Sequence, residues 1–370
     1  MISQYLLGHK AEVTDGEKIW YIAEHIGFLM EVDLFSGKLR AIWKIPGSID
    51  VCAYRVLFYY DHKLYIFPFY QELVYVYNLY TAKYEKIKVK KNLEVMGVVK
   101  RDFFLYAFGD KSEILKYNLE NNTITYIDMQ EYVCKLKGIP LNWFWTRAFV
   151  LDERIYIPVS NSNILIVLDR YDNVSSVCLG NELENWRLAN IYADGERYHV
   201  ICCMGEENNI RTYILEYDLN GRLLLKKHVV DRYFYQVYPF VNAIWNGHKW
   251  ICLPYGRNEI FLRDEEHDEI LFEIDKGTDF FSDIIQGLFF CSVCVNGDMI
   301  FSINQSTGSL ICIDSGDLTV DHLYLKVDDN FYQHYLIKKS YGDAVRFRSV
   351  IKETNNFYNL NSYINYIISE

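Results

Sequence analysis

This chain is short of proline, long apolar runs, disulfide-spaced cysteines and basic charge. Six prolines are scattered over 370 residues with no Pro-rich or Gly/Ser-rich tract, so no flexible linker divides it into separate domains. No stretch approaches the roughly 20 apolar residues of a membrane helix. The opening MISQYLLGHKAEV lacks the basic and apolar regions of a secretory signal. A soluble, cytoplasmic protein without a membrane span is therefore expected. Nine cysteines, an odd number without framework spacing, point to reduced thiols. Cys291 and Cys294 form one C-x-x-C, but residues three apart on a strand face opposite sides and no second pair completes a zinc site. Neither a metal nor another cofactor is expected. Lys and Arg number 38 against 49 Asp and Glu, a formal charge of −11, which argues against a nucleic-acid partner. The one basic run, Lys86 to Lys91, reads as the face of an outer strand and its turn.

Catalytic signatures are missing as well. Nine histidines are scattered, with no H-x-H, H-E-x-x-H or G-x-S-x-G, and neither phosphate-binding glycine motif occurs. His62 and His248 occupy equivalent turn positions, and His199 inside a strand reads as a hydrogen-bonded core residue. Arg263 to Glu269, RDEEHDE, reads as a solvated hairpin turn, because it lacks the glycine and alternating carboxylates of a calcium loop. Vicinal Cys202 and Cys203 point to opposite sides of a strand and suit packing.

What the chain has is aromatic residues and repetition. Aromatics make up 16%, mainly 32 Tyr and 22 Phe, residues suited to half-buried strands. The segment DERIYIPVSNSNILIVLD from Asp152 returns as DHKLYIFPFYQELVYVYNL from Asp61, NGHKWICLPYGRNEIFLRD from Asn246 and NGDMIFSINQSTGSLICID from Asn296. Aligned on the first apolar run, seven copies begin near Lys18, Lys63, Phe103, Arg154, Arg197, Lys249 and Asp298. Each has two apolar runs joined by a turn, an Asp-Leu-x-x-Gly-Lys-like stop and a third run, with a further apolar stretch upstream. That makes four strands per unit. Alternation is poor in the central runs and clearer in the last, as expected if inner strands are covered on both faces and the outermost meets water.

A four-stranded sheet with two apolar faces is stable only when neighbours cover both, and radial packing in a closed ring does this. The chain thus resembles the seven-bladed β-propeller superfamily, an all-β fold of four-stranded antiparallel blades. A unit of roughly 47 residues suits a blade better than a solenoid coil. No Trp-Asp dipeptide or kelch-type Gly-Gly doublet occurs. VDLFSGKLRAIW, Val32 to Trp43, is similar to the quinoprotein-type Asp-x-x-Thr-Gly-Lys and Trp pattern, with its Trp two positions late. Blades are expected over about 10–45, 48–90, 94–128, 144–180, 186–229, 238–274 and 285–325, with 1–325 the propeller and ISQYLL pairing with the last blade to close it. Beyond 326 the rhythm stops. Phe357, Leu360, Ile364, Ile367 and Ile368 fall at helical spacing, which predicts a short amphipathic C-terminal helix that docks on the ring or binds a partner.

In such a ring the interblade connections share one face with the turn between the two aligned runs, where ligands are held. The connections are short before blades 2 and 3 and longer before blades 4 to 7. The longer ones carry the candidate binding residues Trp143, Trp145, Arg147, Trp186, Arg187, Tyr233, Tyr235, Tyr238, Phe280 and Phe281, with Phe234 beside them. Two uses suit them. One is a plug in which Trp seals the channel; the other is a concave aromatic platform whose arginines clamp a carboxylate or phosphate. The leading expectation is a non-enzymatic module binding a protein or peptide. The alternatives are an enzyme acting on a small carbohydrate or lactone, with Asp279 and Asp283 as catalytic carboxylates, and a glycan-binding module. Fold kinship alone supports the enzyme.

Overall fold

The computed structural model describes residues 11–23, 26–47, 54–69, 71–90, 93–109, 112–129, 148–159, 162–180, 186–204, 211–229, 240–254, 259–264, 268–274, 292–304 and 307–327. They form a seven-bladed β-propeller of antiparallel blades. Blade 1 comprises Glu12–Thr14, Lys18–Ala23, Phe28–Asp33 and Lys38–Lys44, and the same four-strand meander recurs over 54–88, 95–128, 149–178, 186–229, 240–273 and 294–324. The first strands of neighbouring blades lie against one another around the axis, so each blade runs outward from its first strand to its fourth. The C-terminal helix expected from the sequence and the segment ISQYLL lie outside the described residues.

Burial follows strand position. The second strand of blade 1, KIWYIA, and the third, FLMEVD, are buried along almost their whole length. The fourth strand of blade 2, KYEKIK, is exposed at nearly every position and holds the first half of the basic run. Seven apolar clusters result, each drawn from two adjacent blades. Ile19, Tyr21 and Met30 meet Phe301, Ile303 and Leu310 between blades 1 and 7, and Ile201 and Ile214 meet Trp250 and Phe261 between blades 5 and 6. Every junction is therefore a small core, and a blade removed from its neighbours would expose apolar surface on both sides.

Among the described residues, the stop between third and fourth strands has one chemistry in six blades. Asp33, Asn78, Asn118, Asp169, Asp218 and Asp314 each turn a side-chain oxygen back onto backbone N–H groups two to four residues on, the local bond that favours Asp and Asn in turns. Ring closure uses the other end of the chain. Lys326–Val327 pairs in parallel with Lys38 and Leu39, adding a fifth strand outside blade 1. Lys326 N–H donates to the Gly37 carbonyl at 2.8 Å. Gly37 has φ +68, and a Cβ there would sit 2.8 Å from the Tyr324 carbonyl oxygen, so glycine suits both the turn and the approach of blade 7. At the inner end Glu12, 5% exposed, accepts the Ile303 N–H at 3.2 Å, and its own N–H donates to the Ser292 hydroxyl at 3.0 Å. Blades 1 and 7 are thus clasped at both the axis and the rim.

Candidate functional site

A blade with four antiparallel strands begins and ends on the same face. All connections from one blade's fourth strand to the next blade's first strand therefore share that face with the turns between second and third strands. The longest connections run from Asp128 to Phe149, Val229 to Phe240 and Glu273 to Cys294; contrary to the sequence expectation, the one before blade 5, Cys178 to Trp186, is shorter than the one before blade 2, Lys44 to Tyr54. Of the candidate residues, Trp186 and Arg187 open the first strand of blade 5, opposite Met204 and Cys203. Trp143, Trp145, Arg147, Tyr233, Tyr235, Tyr238, Phe280, Phe281, Asp279 and Asp283 lie outside the described residues.

Next to this mouth, the first strands of blades 2, 3, 5 and 6 share one irregularity. In blade 2 the pairs Tyr54 with Pro68 and Val56 with Phe67 leave Arg55 as an extra residue. Met96, Ala189 and Val241 are the corresponding extra residues in blades 3, 5 and 6. Such bulges bend a strand and re-aim side chains at rims and binding sites. The Arg55 guanidinium lies 3.9 Å from the centre of the Phe69 ring, a cation–π contact at the mouth. Just past the blade 5 bulge, the buried Asn190 amide donates to the Ala243 carbonyl and so ties the first strands of blades 5 and 6 together. Sequence reasoning passed over Arg55 and Asn190, although a polar residue inside an innermost apolar run (AYRVLF, LANIYA) was the available signal.

The opposite face carries the turns between first and second and between third and fourth strands. Rings and charges interlock there at alternate junctions. Between blades 1 and 2, Trp20 donates to Glu31 and stacks on Tyr59. Between blades 3 and 4, Arg101, Tyr106, Lys116 and Asp172 form one network. Between blades 5 and 6, the His199 ring stacks on Trp245 at 4.5 Å and 13°. Its Nε2 lies 2.8 Å from Asp194 and its Nδ1 3.3 Å from Glu216.

A histidine beside an aspartate invites comparison with a catalytic dyad. Here both ring nitrogens face carboxylates, Trp245 covers the ring, and the side chain is 8% exposed. No ring nitrogen is left to take a proton from a substrate, so His199 is a structural residue, as its place in a strand implied. Burial pushes the Asp194 carboxyl up, but hydrogen bonds from His199 and from the Glu196 and Arg197 N–H groups outweigh it and hold the group at about 2. A carboxyl depressed in the folded state stabilises it above the unfolded value of about 3.9, and that stabilisation disappears as pH falls toward 2. Asp194→Asn is expected to lower the urea midpoint slightly at pH 6, the side chain being 39% exposed to solvent screening. Unfolding curves at pH 6, 4 and 2 test this: the gap between variant and parent should close between pH 4 and 2.

The chain matches no protein-family model and no curated protein sequence. Its structure is similar to that of a streptogramin B lyase, with TM-score 0.58 and 9% identity over 85% of this chain and 93% of that one. A catalytically inactive virginiamycin B lyase from Staphylococcus aureus with quinupristin matches with TM-score 0.59 and 9% identity, covering 80% and 92%. The Pan2 WD40 domain of Neurospora crassa matches with TM-score 0.52 and 10% identity, covering 86% and 91%. At such identities the likeness concerns the fold, which lyases and WD40 domains share with this chain.

Proposed function

We propose that this propeller is a non-catalytic binding module that takes a protein or peptide on its loop-bearing face. The observation that carries the reading is the coincidence, on one face, of the three longest connections, before blades 4, 6 and 7, with the bulged first strands of blades 2, 3, 5 and 6. The contacts assigned to the partner are Trp143, Trp145, Arg147, Trp186, Arg187, Tyr233, Tyr235, Tyr238, Phe280 and Phe281. Aromatic and arginine anchors supply most of the affinity in such surfaces. Panning a random peptide library against the whole protein and measuring selected peptides against a Trp143→Ala/Trp186→Ala double variant tests it. Binding is expected to weaken by at least about tenfold, as loss of one anchor of about 1.4 kcal/mol or more requires. Peptides that bind parent and variant equally would move the site elsewhere.

A second reading, an enzyme acting on a small carbohydrate or lactone, draws on the shared fold of the two lyases and on Asp279 and Asp283. Its mark is turnover that Asp279→Asn or Asp283→Asn abolishes.

A further inference from the structure

The turn face opposite the long connections displays large aromatics that the fold does not use. Phe35 is 97% exposed, Tyr80 74% and Tyr171 69%. All three stand two residues after the Asp or Asn that closes a turn between third and fourth strands. The turn chemistry does not require a ring there, since blades 3, 5 and 7 build the same turn with Glu120, Asn220 and Gly316 at that position. Phe103, 53% exposed, adds a ring from a turn between first and second strands on the same face. A surface phenylalanine left almost wholly in water contributes little to folding and marks a contact site when others share its face.

In blade 2 these rings become a ledge. Tyr59, half-buried and stacked on Trp20 at 5.2 Å, brings its hydroxyl to 3.5 Å from His62 Nδ1. His62 lies 4.3 Å from the Tyr80 ring. Asp15 stands in the turn between the first and second strands of blade 1, and Asp61 directly before His62 in the equivalent turn of blade 2; burial and Asp15, with Tyr80 and Asp61, push the Tyr59 phenol up against a bond from His62 that lowers it. Acidic residues also outnumber basic ones in the turns of this face, and the chain as a whole carries a charge of −11. Exposed ring faces beside carboxylates attract guanidinium and ammonium groups by cation–π and Coulomb terms together.

We propose that the turn face of blades 1 and 2, centred on Phe35, Tyr59, His62 and Tyr80 with Asp15 and Asp61, docks an arginine- or lysine-rich segment of a partner protein. This surface is separate from the loop-bearing face. The probe is a fluorescein-labelled nona-arginine peptide, titrated by anisotropy against the whole protein, against Phe35→Ser/Tyr80→Ser, and against Trp143→Ala/Trp186→Ala. Phosphatidylserine-containing vesicles are sedimented with the protein in parallel. The peptide is expected to bind the parent and the Trp143→Ala/Trp186→Ala variant alike, and the Phe35→Ser/Tyr80→Ser variant about tenfold more weakly, the sum of two surface cation–π contacts. The Ser substitutions leave net charge unchanged. Equal binding to parent and Ser variant would reduce the effect to bulk charge and overturn the proposal. So would peptide binding lost in the Trp variant, or vesicle binding through Phe35 and Tyr80 with none to the peptide.

Discussion

Arg101→Ala should lower the unfolding free energy by about 3–5 kcal/mol, the cost of removing one member of a buried charged network. The side chain is 5% exposed and joins blade 3 to blade 4. Nη1 donates to the carbonyls of Asp169 at 2.7 Å and Glu153 at 3.1 Å. Nη2 donates to the Tyr106 hydroxyl at 2.7 Å and to Asp172. Alanine leaves these acceptors without their donor in a partly buried junction, although Lys116 still pairs with Asp172. Lysine brings three donors on one point instead of a planar fork, so Arg101→Lys is expected to recover less than half of the loss. Urea unfolding followed by tryptophan fluorescence decides the matter. If the alanine variant came within about 1 kcal/mol of the parent, the strut would be no stronger than a surface pair.

The architecture was legible because each blade repeats the same physical constraint. Strands such as KIWYIA and LVYVYN must be apolar on both faces to sit between blades, KYEKIK need not be, and Asp or Asn closes the outer turn in six blades. These requirements leave local patterns that recur seven times. Arg101 and Asp172 are 71 residues apart and meet only across a junction. In sequence Arg101 is one more basic residue beside a turn, as Lys18 and Arg197 are. The closing strand was illegible for a different reason: two residues in parallel pairing, Lys326 and Val327, carry no periodicity.

The candidate site was legible only as far as topology carries it. Unequal spacing between repeats, together with an even number of strands per blade, assigns the long connections to one face. The bulges beside that face depend on pairing between strands, which sequence alternation does not encode; the polar residues Arg55 and Asn190 were their only trace. The exposed rings of the other face lay in plain view as DLFS, NLYT and DRYD. The turn pattern masks them, because the residues that close a turn recur from blade to blade while the residue it shows to water varies.

Trp20→Ala should cost about 3–5 kcal/mol, the range for deleting a large buried aromatic, and it separates two contributions at the junction of blades 1 and 2. The indole is 2% exposed. It stacks on Tyr59 at 16°, and its N–H donates to Glu31 Oε2 at 3.0 Å. Glu31 is itself buried, and its other oxygen is held by Arg40 at 2.5 Å and Lys18 at 3.4 Å. Trp20→Phe keeps a ring against Tyr59 but leaves Glu31 Oε2 without its donor, so a loss of about 1–3 kcal/mol is expected, the cost of one unsatisfied buried acceptor. Urea midpoints for the two variants give the order parent, Phe, Ala. Equal losses would mean that the Glu31 bond, and not the ring, carries Trp20's contribution. The same pair bears on the ledge above it, since Tyr59 lies between Trp20 and His62. Under conditions where both variants are folded, Trp20→Phe should bind the nona-arginine peptide like the parent and Trp20→Ala more weakly. Unchanged binding in Trp20→Ala would show that blade 2 holds its ledge without support from blade 1.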